Sequence, residues 1–137
     1  MKARRTVMLV EDHPTLRRSL RASLHEMGFD TLEAADANSA IHQLAECAPD
    51  LVCLELVLPE SNGYEVCEFI RQSPQHQKVP VLMLSGRGYP EDRAHAAEAG
   101  ANGFLTKPFS EQEFRQRIQS LIDAAIQGMT DLPADRT

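Results

Sequence analysis

The chain has 137 residues and a net charge of −6, with 42% hydrophobic and 25% charged residues. These values are typical of one globular domain, and the negative charge disfavours binding to nucleic acid or to an anionic membrane surface. No apolar run is long enough to cross a membrane, and the run after the basic N-terminus is too short for a signal peptide. We therefore expect a cytoplasmic protein.

Short apolar runs alternate along the chain with stretches of helical periodicity. The first half predicts, in order, a strand over 6–10, a helix from Pro14 to Gly28, a strand over 29–34, a helix capped by Asn38 and carrying Ile41, Leu44 and Ala45, and a strand over 50–55. The three cysteines are odd in number and form no CxxC pair, so neither a disulfide framework nor a zinc site is indicated.

The second half continues the alternation. It predicts a loop over 59–63, a helix over 64–71, a strand over 79–84, a helix over 90–99 closed by Gly100, a strand over 103–105 and a helix capped by Ser110 and ended by Gly128. Five strands alternating with five helices predict a doubly wound α/β domain with a parallel sheet. We expect the domain to cover 1–127, with 128–137 as a tail.

One charge, Glu55, interrupts the most apolar of the predicted strands, at its C-terminal end. A carboxylate is rarely left inside an apolar strand unless something pairs with it. In open parallel sheets the carboxyl ends of the strands form the ligand site, so the partner of Glu55 is expected at the ends of the other strands.

The residues at those strand ends are Glu11, Asp12, Ser85 and Lys107. Three clustered carboxylates repel one another unless a hard cation such as Mg²⁺ lies among them or Lys107 offsets one charge. A hydroxyl and an ammonium are common partners of phosphoryl oxygens. No glycine-rich loop follows the first strand, which excludes the usual nucleotide-binding motifs.

In this order the residues resemble the receiver domains of two-component response regulators, over about 5–127. The motifs are Glu11-Asp12, the 50–63 segment with Pro59 and Gly63, Ser85-Gly86, Phe104 and Lys107-Pro108-Phe109. The resemblance implies a flavodoxin-like (βα)₅ receiver fold and a role in phosphorelay signal transduction, as a chemotaxis-regulator-like module that is not an enzyme.

The resemblance also implies roles for the strand-end residues. The acidic pair Glu11-Asp12, the carboxylate at 55 and the backbone carbonyl of Val57 would bind Mg²⁺. Ser85 would bond the phosphoryl group, and Lys107 would neutralise it. The alternatives are a solvated acidic turn, with Lys107 as its only counter-charge, and a turn hydroxyl at Ser85.

Two further implications concern signalling output. Phe104 would be the aromatic side chain that changes rotamer on activation, the alternative being a core aromatic that never moves. The surface over 90–127 would be the face for a partner or a homodimer. Partners would be a sensor histidine kinase or a downstream signalling protein, with no membrane and no direct nucleic acid for this domain. Alternatively, the chain is the N-terminal part of a longer DNA-binding regulator.

The sequence departs from the family at the phosphoacceptor position, where Glu55 stands in place of aspartate. Glutamate moves the carboxylate by roughly 1.5 Å, and an error of about 1 Å can slow in-line transfer by about 10²-fold. Three hypotheses follow: Glu55 is a built-in partial mimic of the phosphorylated state, the domain is a pseudo-receiver that has lost switching, or phosphoryl transfer persists through Glu55 or another residue.

Overall fold

The computed structural model describes residues 4–128, so the predicted tail after Gly128 lies outside the described part of the chain. Its main sheet contains β1 (Thr6–Val10), β2 (Asp30–Ala34), β3 (Leu51–Glu55), β4 (Val81–Ser85) and β5 (Gly103–Thr106). Its helices are α1 (Pro14–Glu26), α2 (Ala37–Leu44), α3 (Gly63–Gln72), α4 (Pro90–Ala99) and α5 (Glu111–Ile126).

The five strands pair in the order β2-β1-β3-β4-β5, and every pair is parallel. This confirms the predicted doubly wound α/β fold. All the strands therefore place their carboxyl ends at the same edge, which is where the candidate site lies. No helix within 4–128 has the length and apolar character needed to cross a membrane.

The core explains why the central strands are unbroken apolar runs. Each strand sends alternate side chains to opposite faces of the sheet, and helices cover both faces. Met8, Val52 and Met83 pack toward α2, α3 and α4. Leu9 and Cys53 pack on the other face, toward α1 and α5. Burial of both faces fixes the register of the sheet and holds the strand ends in place.

Two predicted helix ends are confirmed by local geometry. Gly100 ends α4 with φ +106°, and a Cβ there would lie 2.6 Å from Cγ of Arg71, so only glycine suits both the backbone and the space. Ser110 caps α5 in a capping box, in which its hydroxyl accepts from Glu113 N at 3.0 Å and the Glu113 carboxylate accepts from Ser110 N.

The predicted cap of α2 is wrong. The cap is Asp36, whose carboxylate accepts from Ser39 N at 2.7 Å, and Asn38 is an exposed residue within the helix. Of the apolar residues predicted for this helix, Leu44 is buried, and Ala45 is exposed at the C-terminal cap. Asp and Asn are both good cap residues, and the choice of Asp36 puts Ala37 into the core.

The segment predicted as a loop over 59–63 is partly ordered as a short antiparallel hairpin, in which Val57–Leu58 pairs with Ser61–Asn62. Gly63 already belongs to α3, and a Cβ at this position would lie 2.6 Å from the carbonyl oxygen of Glu55. The glycine therefore allows the start of α3 to approach the end of β3. The other predicted strands begin or end within a residue or two of the observed bounds.

Candidate functional site

Glu55 is the last residue of β3, and its side chain is only 6% exposed. One carboxylate oxygen accepts a hydrogen bond from the backbone N–H of Val57 at 3.0 Å. The other accepts from Nζ of Lys107. Both oxygens of the buried carboxylate therefore have partners inside the protein, as the burial of a charged group requires.

Lys107 follows β5 directly and is joined to β4 by its backbone N–H, which donates to the Ser85 carbonyl at 2.7 Å. Its ammonium group donates to Glu55 and also to Glu11, at 3.1 Å. Burial alone would lower the pKa of Lys107, but its hydrogen bonds and attraction to the two carboxylates outweigh burial and raise that pKa. Lys107 is therefore held in its charged form.

Glu11 follows β1 and is 1% exposed. Its carboxylate accepts from Lys107 and, at 3.2 Å, from the backbone N–H of His13. Burial raises the pKa of Glu11, although these two hydrogen bonds oppose the shift, and the charge of Glu55 raises it further. The pKa of Glu11 rises although Lys107 is bound to it, because Glu11 is deeply buried and shares this cation with Glu55. Despite its burial, the pKa of Lys107 rises because two carboxylates accept hydrogen bonds from its ammonium group.

Asp12 does not join this cluster, because its side chain is exposed at the surface. Among residues 4–128, no group of three or more His, Cys, Asp or Glu side chains is placed to hold a metal ion. The carboxylates have the oxygen chemistry that Mg²⁺ requires, but the ammonium of Lys107 is bound to both Glu11 and Glu55. The side chains as arranged do not fit a magnesium site.

Ser85 ends β4 and is fully buried. Its hydroxyl accepts from the backbone N–H of Arg87 at 2.9 Å, within the turn that leads to α4. The Arg87 side chain pairs at 2.8 Å with Asp92, a buried carboxylate in the first turn of α4. The geometry thus matches the alternative role of Ser85, a turn hydroxyl, and the predicted contact with a phosphoryl group remains a prediction.

Phe104 lies on β5 with 1% of its surface exposed. Sequence reasoning missed the side chain that covers it: the guanidinium carbon of Arg93 lies 5.0 Å from the ring centroid. Arg93 also donates to the hydroxyl of Thr106 at 3.2 Å. Arg117 of α5 donates to the Phe104 carbonyl at 2.8 Å. An arginine in an alanine-rich helix carries no sequence signal for such contacts.

Comparison with known proteins identifies the family. The family described as "Response regulator receiver domain" matches residues 7–119, which are most of the chain. The chain belongs to this family. The expected resemblance is therefore confirmed, and the parallel sheet with five helices is the flavodoxin-like receiver fold. Members of this family are signalling modules that act by contact with sensor histidine kinases and downstream proteins.

Two curated relatives illustrate the range of the family. The phosphate regulon transcriptional regulatory protein PhoB of Escherichia coli K12 is 36% identical over 118 residues, which are 86% of this chain and 52% of PhoB. The chain thus spans about half the length of this relative. Protein PilG of Pseudomonas aeruginosa is 31% identical, over 83% of this chain and 84% of PilG.

Solved structures show the same fold. A putative response regulator from Chloroflexus aurantiacus has a TM-score of 0.83 and 32% identity, covering 88% of this chain and 98% of its own. The receiver domain of sensor histidine kinase PA1611 from Pseudomonas aeruginosa has a TM-score of 0.81 and 28% identity, covering 88% and 99%. That structure holds a magnesium ion coordinated in its active-site cleft.

Proposed function

We propose that this chain is a receiver module of two-component signalling whose state is set by the Glu55–Lys107 ion pair and not by phosphorylation. It acts by protein–protein contact and not as an enzyme. The proposal rests on one observation: both oxygens of the Glu55 carboxylate accept hydrogen bonds, one from Lys107 and the other from the Val57 N–H, and the side chain is only 6% exposed.

Phosphoryl transfer needs a free, well-placed acceptor oxygen and a cation available for the incoming phosphoryl group. Here the acceptor position carries the longer glutamate, whose carboxylate already holds the ammonium of Lys107. Glu55 supplies about one negative charge, whereas a phosphoryl group carries about −1.5 to −2. The Glu55–Lys107 pair is therefore a partial imitation of the phosphorylated state. If the pair is permanent and never switches, the domain is the pseudo-receiver of the second hypothesis.

The proposal extends to Mg²⁺. Glu11, Glu55, Asp12 and the Val57 carbonyl would supply its ligands, as the resemblance implies, but Lys107 competes for two of the carboxylates. Mg²⁺ binding in the wild-type protein should therefore be weak and should require Lys107 to be displaced.

A second candidate concerns the whole protein. PhoB is a transcriptional regulatory protein, and the chain matches only 52% of its length. This is compatible with a receiver that forms part of a longer DNA-binding regulator, in which the surface over 90–127 would contact a second copy or the downstream domain. The native size of the protein, measured on material from its own cells, tests this candidate.

Labelling of Glu55→Asp tests the main proposal. The wild type should not take up a phosphoryl group from acetyl phosphate with Mg²⁺, whereas Glu55→Asp should gain one, detected by intact-mass spectrometry. The matched control is Glu55→Gln, which has the length of the native side chain but no nucleophilic carboxylate. Labelling of the wild type at the level of Glu55→Asp would overturn the proposal and favour residual transfer through Glu55. No gain in Glu55→Asp would show that more than the extra methylene blocks transfer.

A further inference from the structure

We infer that Arg93 is a positioning residue that holds Phe104 in its buried position and links it to the Glu55–Lys107 pair. The inference deepens the proposed function and rests on it in one respect. It takes Phe104 as the side chain whose movement would pass a change at the Glu55–Lys107 pair to the surface formed by α4, β5 and α5.

The contacts of Arg93 support this role. The residue lies in the first half of α4, and its side chain reaches across to β5. There the guanidinium covers the ring of Phe104, with 5.0 Å between Cζ and the ring centroid, and donates to Thr106 Oγ1 at 3.2 Å. Phe104 and Thr106 are two positions apart on one strand and so share a face of the sheet. One side chain therefore fixes both.

The covered ring has little other freedom. Phe104 is 1% exposed, and its carbonyl is held by Arg117 from α5. For the ring to leave the core, the guanidinium must first move off its face, which forfeits a cation–π contact and the hydrogen bond to Thr106. Arg93 thus adds a barrier that the apolar core alone would not supply.

The contacts of Arg93 also connect it to the edge of the sheet where Glu55 and Lys107 lie. Thr106 is the chain neighbour of Lys107, whose ammonium is bound to Glu55. The β4–α4 turn also passes close to Thr106, because a Cβ at Gly88 would lie 2.7 Å from the Thr106 hydroxyl. A displacement of Lys107 therefore reaches Arg93 through Thr106, and reaches Phe104 through Arg93.

The experiment measures the Phe104 ring in the resting protein. Relaxation dispersion is recorded on ¹³C-labelled phenylalanine rings, with Phe104 assigned through Phe104→Leu. Arg93→Met keeps the length of the side chain but removes the guanidinium, and should raise the population of the displaced ring by about two- to fivefold. Thr106→Val removes only the hydroxyl and should give a smaller rise. The control, Arg18→Met, alters an exposed arginine on α1 and should change nothing.

Unchanged ring exchange in both Arg93→Met and Thr106→Val would overturn the inference. If Arg93→Met does not give the amide spectrum of a folded protein, the ring exchange of Thr106→Val and Arg93→Lys tests the inference instead. Arg93→Lys keeps the charge without the planar group, and its population of the displaced ring should lie between those of the wild type and Arg93→Met. The ring is observed without any phosphoryl donor, so failure of Glu55→Asp to label would count against the proposed function alone. Beryllofluoride shifts at Phe104 in Glu55→Asp that are unchanged by Arg93→Met would refute the coupling.

Discussion

Lys107 binds Glu55 across an intervening strand, since Lys107 follows β5 and Glu55 ends β3, and these two strands flank β4 in the sheet. Their pairing therefore depends on the order of the sheet and not on nearness in sequence. The Glu55 side chain is 6% exposed and that of Lys107 is 25% exposed, so the pair is shielded from water mainly on its carboxylate side. Removing one partner of a buried pair leaves an uncompensated charge, which is costly.

We expect Lys107→Met to destabilise the protein by about 2–3 kcal/mol at pH 7, less than for a fully buried pair because Lys107 is partly exposed. The variant leaves Glu11 and Glu55 buried without their cation. Urea unfolding measures the free energy of unfolding. The deficit should shrink as the pH falls, because protonation removes the uncompensated charges.

The matched control is Lys78→Met, which alters an exposed lysine in the connection before β4 and should stay within about 0.5 kcal/mol of the wild type. A deficit in Lys107→Met no larger than that of Lys78→Met would show that the ammonium contributes nothing to the fold. A deficit independent of pH would indicate lost packing of the lysine stem instead of lost charge.

The pKa of Glu11 gives a second prediction. Burial raises that pKa above its ordinary value of 4.5, so the folded protein binds a proton more readily than the unfolded chain. The charged carboxylate therefore lowers stability above the raised pKa, and this loss is relieved as the pH falls through the raised pKa. Glu11→Gln, which is neutral at every pH, should be more stable than the wild type at pH 7.

The difference between Glu11→Gln and the wild type should close as the pH falls toward 4.5. Denaturant unfolding at a series of pH values measures it, with Glu98→Gln, at an exposed position of α4, as the control. If Glu11→Gln is less stable than the wild type at pH 7, the attraction between Glu11 and Lys107 outweighs the cost of burying the carboxylate.

The sequence predicted the fold well because its signals agree with one another. Several local sequence features favour the same structure that packing favours. They are the unbroken apolar strands, the glycine at 100 and the Ser110 cap. The strand ends were also predictable, because parallel strands bring Glu55 and Lys107 to one edge whatever their rotamers. The resemblance to receiver domains then attached expected roles to those positions.

Side-chain partners were less predictable, since strand-end position does not specify rotamer. Nothing in the sequence shows that the hydroxyl of Ser85 bonds to Arg87 in the following turn, or that Asp12 points to solvent. Helix α4 illustrates the same limit. It buries little apolar surface, so its register depends on polar contacts such as the pair between Arg87 and Asp92, which follow no periodic pattern.

Competition between Lys107 and Mg²⁺ gives a third prediction. Lys107→Met frees the carboxylates of Glu11 and Glu55, and should bind Mg²⁺ about tenfold more tightly or better than the wild type. Amide NMR shifts on titration with MgCl₂ measure the affinity, and Asp12→Asn in the same background should weaken it. Equal affinity in the wild type and Lys107→Met would show that the ammonium does not compete for the site.

The opposite edge of the sheet holds a second arginine whose loss should be measurable. Arg71 donates from all three of its nitrogens, at 2.7–3.1 Å, to the carbonyls of Gln77, Val79 and Gly100 and to the side chain of Asn102. Burial lowers the pKa of this guanidinium, but its ordinary pKa is so high that the group stays charged. One side chain therefore ties the end of α3 to the end of α4 and to the start of β5.

We expect Arg71→Met to cost about 2–3 kcal/mol in the free energy of unfolding, because it leaves several half-buried carbonyl groups without a donor. Hydrogen exchange should rise first at Gly100 and Ala101, whose amides form the C-terminal cap of α4. Arg18→Met, at an exposed position of α1, is the matched control and should leave both measurements unchanged. Faster exchange spread evenly over all five helices would mean that Arg71 stabilises the whole domain without a particular role at α4.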